Sequence, residues 1–299
     1  MIDAADLETR LRSGDFGIMT AAYLHRAVRE TSTAVLNGRD RLVEAAVADV
    51  AALPGAALTL GFCADDLASF RIDHGATSWC GHRWLEREGE LVVRETLIED
   101  GTLRAATLGA GYMAVARTPI HAPLGELRPG RGQYAAGEAA IVPADWPSAA
   151  RAIADVMHMV WNGRAIDRLA ALWQPDVAWS GPDGNSGDRA ALAHWLAVVV
   201  TAFPDATLMF ERAIVGQDVV ALLWRLHGHH LGPGFGAPTS RRIRVIGSSV
   251  LHLAGGRIVA DETLIDTQAL AQQLATPPIA WRTAASESAA ERPDDGDNG

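Results

Sequence analysis

Apolar residues recur along this chain in two rhythms, every third or fourth position in some stretches and every second in others, so helices and strands separate by period. In the second half, Ile153, Val156, Met157, Val160 and Trp161 make one helical stripe. Leu169, Leu172 and Trp173 continue the helical region. Val177-Ala178-Trp179 predicts a short strand that Gly181-Pro182 ends. Asp188 suits the N-cap of a helix through Ala191, Trp195 and Val199, which Pro204 stops. Four extended segments follow, at 207–214, 219–229, 243–253 and 257–264, with a tight turn at Gly255-Gly256 between the last two. A closing helix spans Thr267 to Leu274. Helices first and an antiparallel meander last is the α+β pattern, a curved sheet wrapped over helices into a cone. The interior of such a cone is its natural ligand cavity.

The first half repeats this order. Residues 89–99, Gly-Glu-Leu-Val-Val-Arg-Glu-Thr-Leu-Ile-Glu, match residues 256–266, Gly-Arg-Ile-Val-Ala-Asp-Glu-Thr-Leu-Ile-Asp, at six of eleven positions. That register sets Glu99 against Asp266, Glu95 against Glu262 and Leu85 against His252. Leu53-Pro54-Gly55-Ala56 likewise parallels Phe203-Pro204-Asp205-Ala206. The paired prolines lie 150 residues apart and the final strands 167, so the second copy carries about seventeen extra residues, around His227 to Ser240. Self-similarity of this kind predicts two tandem cone-shaped α+β barrels. The organisation expected is a unit at 1–118, a Pro/Gly-rich linker at 119–147, a second unit at 148–276 and an acidic tail at 277–299 too polar to fold.

A length of 299 residues accommodates two domains, and 48% hydrophobic against 21% charged residues supports packed cores. The net charge of −10 argues against nucleic acid as a partner, because phosphate binding needs a basic surface. Two cysteines, Cys63 and Cys80, make no disulfide framework and no thiolate zinc site. No window approaches the roughly 20 apolar residues of a membrane span, and the first residues lack the basic start and apolar run of a signal peptide. The expectation is a cytoplasmic protein with no membrane partner.

Several motifs of the second copy, taken in order, carry a resemblance: Phe203-Pro204-Asp205-Ala206, Gly228-His229-His230-Leu231-Gly232, Gly236-Ala237-Pro238-Thr239, and Gly256-Arg257-Ile258-Val259 leading to Asp266, Leu270 and Gln273-Leu274. Together they resemble the SnoaL-like polyketide cyclases of the nuclear transport factor 2-like superfamily, over residues from about 150 to 275. The first copy shares the pattern but lacks the Gly/His-rich loop. The resemblance implies ring closure by an intramolecular aldol reaction, or isomerase or lyase chemistry, without metal or organic cofactor. It further implies a small hydrophobic carbonyl compound as ligand. The two units are then expected to pack sheet to sheet as an intrachain pseudo-dimer, with further homodimerisation open. Fold does not fix function, so a non-catalytic small-molecule-binding protein and an epoxide hydrolase stand as alternatives, the latter hinted at by Arg225 beside Trp224.

An aldol closure needs a base beside a carbonyl, and a carboxylate desolvated in an apolar cone suits that task. The resemblance assigns this role to Asp266, with His252, fourteen residues earlier, orienting it or the substrate. Asp266 also suits the N-cap of the helix that begins at Thr267; both roles are open here. Period-two alternation puts Glu262, Leu264 and Asp266 on one strand face and Asp261, Thr263 and Ile265 on the other, which makes Glu262 a further candidate. Trp179 and Trp224, among the nine tryptophans, are candidates to wall the pocket, and His230 and Phe235 to line it from a flexible flap. His227, His229 and His230 find no carboxylate near them in the sequence, so loop lining outweighs a metal site.

Overall fold

The computed structural model describes residues 2–108 and 140–275. Most of the expected linker and all of the expected acidic tail lie outside the described residues. The first unit runs α1 (Ala4–Arg12), α2 (Gly17–Ala22), β1 (Tyr23–Glu30), β2 (Val35–Asn37), α3 (Arg39–Ala51), β3 (Ala57–Ala64), β4 (Leu67–His74), β5 (Thr77–Glu88), β6 (Leu91–Glu99) and α4 (Gly101–Thr107). The second runs α5 (Ser148–Trp161), β7 (Trp173–Ser180), β8 (Ser186–Gly187), α6 (Arg189–Ala202), β9 (Thr207–Val215), β10 (Val219–His229), β11 (Arg242–Ala254), β12 (Arg257–Ile265) and α7 (Thr267–Leu274).

Each unit is an α+β cone with one six-stranded sheet, ordered β2-β1-β6-β5-β4-β3 in the first and β8-β7-β12-β11-β10-β9 in the second. The sheets are mixed rather than wholly antiparallel. The opening strand of each unit returns beside the last one, so β1 lies parallel to β6 and β7 parallel to β12. This placement also explains why Trp173 opens a strand where its spacing predicts helix. Ile258 takes Trp173 as its ladder partner and donates its N–H to Leu172 O at 2.8 Å, so pairing outweighs local period.

The hairpin turns correct the register of the repeat. Glu88 faces Leu91 across Gly89-Glu90, and Ala254 faces Arg257 across Gly255-Gly256. Equivalent residues are therefore 166 apart (255 − 89), not 167. Glu95 stands where Asp261 stands, and Asp100 where Asp266 stands. Asp100 caps α4 through Leu103 N–H, and Asp266 caps α7 through Ala269 N–H. The run of identical letters is one residue out of step with the fold.

The two sheets pack outer face to outer face. Leu67, Trp84 and Ile98 of the first unit share one apolar cluster with Leu223, Ile246, Val250 and Leu264 of the second. Trp84 Nε1 donates to Ser248 Oγ at 2.9 Å, and Arg225 donates to both oxygens of Glu30 at 2.8 Å each. Consequently the central strands of the second unit have no solvent face: from Val219 to Leu226 every residue of β10 is buried. Burying such side chains stabilises by about 1.5–3 kcal/mol apiece, and on the outer face Val219, Ala221 and Leu223 are buried in this way beside Arg225.

Candidate active site

Strand β12 sends Asp261 and Thr263 into the cone of the second unit, where both line a small cavity, and Ile265 into the same core. Glu262 and Leu264 point the other way, towards the first unit. The alternation read from the sequence holds, and the inward acid is Asp261.

Asp261 is 3% exposed. Its Oδ2 accepts from Trp173 Nε1 at 2.7 Å and its Oδ1 from Thr263 Oγ1 at 2.7 Å. Thr263 spends its one hydroxyl proton on Asp261, so at 2.8 Å it must accept from Ser249 Oγ. Ser249 in turn accepts from Trp224 Nε1 at 3.2 Å. The chain of donors has one direction and ends on the carboxylate. Burial pushes the Asp261 pKa up to about 6, against the lowering pull of the Thr263 and Trp173 hydrogen bonds. No arginine or lysine side chain is bonded to it among the described residues.

Aromatic rings enclose this acid. Trp161, Trp173, Trp195 and Trp224 line the cavity with it, and the ring centroids of Trp161 lie 5.9 Å from those of both Trp195 and Trp224. Trp224 lies flat on Gly247, where an added Cβ would sit 2.1 Å from its ring. The cavity measures about 20 Å³, enough for roughly one water molecule. A larger ligand enters only if the rings turn aside.

The remaining candidates fall in three places. Trp224 lines the cavity, and Trp179 packs at a tilt against Trp195 beside it, with centroids 5.9 Å apart. His230 and Phe235 pack on Phe203, with centroids at 5.4 and 5.3 Å. His230 follows the end of β10 six residues after Trp224, on the order of 20 Å along the strand. The loop carrying Phe235 is anchored rather than a free flap: Leu231 and Gly232 N–H donate to Ala202 O at 3.0 and 3.1 Å, and Phe235 is 6% exposed. A carboxylate does reach the histidines, since Asp205 Oδ2 lies 2.7 Å from His229 Nδ1.

Glu262, His252 and Asp266 lie outside the cone of the second unit. Glu262 meets His82 of the first unit at 2.7 Å. His252 is exposed and faces Ala260 in the ladder, six residues from Asp266, again on the order of 20 Å. The expected Asp266–His252 pair is therefore not assembled, because antiparallel register sets each residue's partner and His252 belongs to Ala260. Asp266 caps α7 and faces a cavity where the two units meet. Arg225, the hint of an epoxide-opening constellation, is held by Glu30 and Glu211 on the outer face.

The first unit carries the same carboxylate position filled differently. Tyr23 Oη–H donates to Glu95 at 2.5 Å, as Trp173 does to Asp261. Arg29 lies 3.0 Å from Glu95, Arg83 is ion-paired to it as well, and Arg83 also holds Glu8 at 2.7 Å. Burial alone would raise the Glu95 pKa, but Arg29 and Arg83 hold it below the usual carboxylate range.

The second unit is thus an α+β cone whose aromatic interior holds the buried carboxyl of Asp261, bonded to no cation among the described residues. Its residues 151–274 match the model of the SnoaL-like polyketide cyclase family. Among solved structures, the chain is similar to IdmH of Streptomyces antibioticus, described as a candidate polyketide cyclase, at 24% identity over 42% of this chain and 98% of that one, with a TM-score of 0.38. It is similar to TsrD of Streptomyces laurentii at 16% identity over 43% and 96%, TM-score 0.40. A protein of Catenulispora acidiphila with a ketosteroid isomerase-like fold, solved with trimethylamine, shows 17% identity over 42% and 92%, TM-score 0.36. No curated protein matches the chain. No helix among the described residues is long and apolar enough to cross a membrane.

Proposed function

We propose that the second unit is an acid–base site of the cyclase or isomerase kind, acting on a hydrophobic carbonyl compound, with Asp261 as the group that moves the proton. The observation that carries this reading is a buried carboxyl, surrounded by indole rings and bonded to no cation among the described residues, which burial pushes up to a pKa of about 6. A carboxyl poised there is mostly ionised near neutral pH, yet basic enough to take a proton from carbon next to a carbonyl and return it. Trp173 and Thr263 hold its two oxygens and fix its orientation. The surrounding tryptophans exclude water and offer flat apolar faces to a ring system. The match of residues 151–274 to the cyclase family supports the same chemistry.

The test is turnover of a panel of aromatic polyketide, steroid and terpenoid carbonyl compounds by wild type and Asp261→Asn, alongside ligand-induced thermal shift. Conversion by wild type alone, with the shift retained in the variant, is the expected result. Equal conversion by both proteins would remove Asp261 from the chemistry. A shift in both without conversion by either would favour the binding-only reading.

A further inference from the structure

A second cavity, of about 210 Å³, roughly ten times the volume beside Asp261, lies where the two units meet. Arg29 of β1, Asp49 of α3, Glu99 of β6 and Arg104 of α4 line it, and Asp266 of the second unit closes it. It belongs to neither unit alone.

The charges in this wall are unequally matched. Arg104 donates to Asp49 at 2.6 Å and lies 3.6 Å from Glu99, while Arg29 lies 3.0 Å from Glu95. Asp266 forms no ion pair among the described residues; its Oδ1 accepts from the backbone N–H of Ala269 at 2.9 Å. It packs so closely on α4 that a Cβ added at Gly101 would fall 2.1 Å from Oδ1. The charged groups around it are Glu99 from β6, Asp100 at the N-cap of α4, Arg104 within α4, Asp49 and Arg29 across the cavity, and Asp183 from the turn after β7, whose Oδ1 accepts from Thr267. Three wall carboxyls, Asp49, Glu99 and Asp266, therefore face two arginines, both already engaged. Burial first, then Asp100 and Glu99, lift the Asp266 pKa to about 7 against the Ala269 hydrogen bond and Arg104. The rest of the wall includes Leu36, Ala45 and Leu97, an apolar surface that suits a carbon chain better than a hydrated metal ion. The volume equals roughly seven waters at about 30 Å³ each.

We propose that this inter-unit cavity binds a small organic ammonium ion, its charged head against Asp266 and its short carbon chain along Leu36, Ala45 and Leu97. Such a ligand supplies a positive charge at Asp266, which forms no ion pair among the described residues.

The test is calorimetric titration of the full chain with n-butylamine, which stays protonated across the range, at pH 6 and pH 8, with n-butanol as the uncharged probe. Because Asp266 must ionise to bind the cation, affinity rises about tenfold between these pH values. Asp266→Asn, a conservative cap replacement, removes that rise, and Ala45→Leu weakens binding by filling the cavity. Asp261→Asn leaves binding unchanged, which separates this site from the one proposed in the second cone. Absence of saturable binding, a pH-independent affinity, or undiminished binding in Asp266→Asn would overturn the proposal.

Discussion

Glu95 lies at the place in the first sheet that Asp261 holds in the second, and only Glu95 is met by arginine. Both receive a hydrogen bond from the aromatic residue that opens their unit's first strand, Tyr23 or Trp173. Remaining partners decide the chemistry. Two cations lock Glu95 as an anion, whereas two neutral donors leave Asp261 able to exchange a proton near neutral pH.

If Asp261 works as a base, kcat/KM rises with pH through a midpoint near 6, since only the ionised form accepts a proton. Thr263 holds that midpoint down through its hydrogen bond. Thr263→Val is expected to raise it by about one unit, in line with a lost bond to a charged group of about 1.5 kcal/mol. A pH–rate profile of both proteins checks this.

Asp266 titrates in the opposite sense to a paired carboxylate. Its pKa rises on folding, from an ordinary 3.8 to about 7, so the stability linked to it is present below about pH 4 and is lost as pH climbs through 7. Asparagine caps a helix as well as aspartate. Asp266→Asn should match wild type at pH 4 and exceed it at pH 8 by about 2–4 kcal/mol, the upper figure being the full three-unit shift. Urea unfolding at the two pH values measures the difference.

Arg225 joins the units through both oxygens of Glu30. Arg225→Met strands Glu30 and Glu211, and we expect a loss of about 2–3 kcal/mol, at or just below the roughly 3–5 kcal/mol of a broken buried pair, because Arg94 and Arg244 stand 3.5 and 3.9 Å from Glu30 as substitutes. Chemical denaturation followed by tryptophan fluorescence reads it.

Phe235 fills the core from a loop. Phe235→Ala should cost about 3–4 kcal/mol, seen as a fall in Tm; a shift of under a degree would mean the loop is free of the core.

Helix and strand spacing carried the fold: the two-unit order, the Asp188 cap and the Gly255-Gly256 turn all stand where the sequence puts them. What spacing could not decide was which face of β12 turns inward. That choice normally follows from one face being polar, but here the outer face of β12 meets the other sheet, so Leu264 is buried as deeply as Ile265. The repeat register slipped for a related reason: Thr-Leu-Ile serves either face when both are apolar, so letters can match one residue out of step. The cavity beside Asp266 leaves no mark in the sequence, because it forms only where two distant segments meet.

The union of both sheets in one chain has a consequence for how the molecule can change. When identical subunits meet across such a face, every substitution is made twice, and a loss on one side is repeated on the other. Here the halves are encoded separately, so one twin can become a rigid ionic brace while the other keeps a titratable acid. Division of labour between Glu95 and Asp261 is open to a fused pair and closed to a symmetric one.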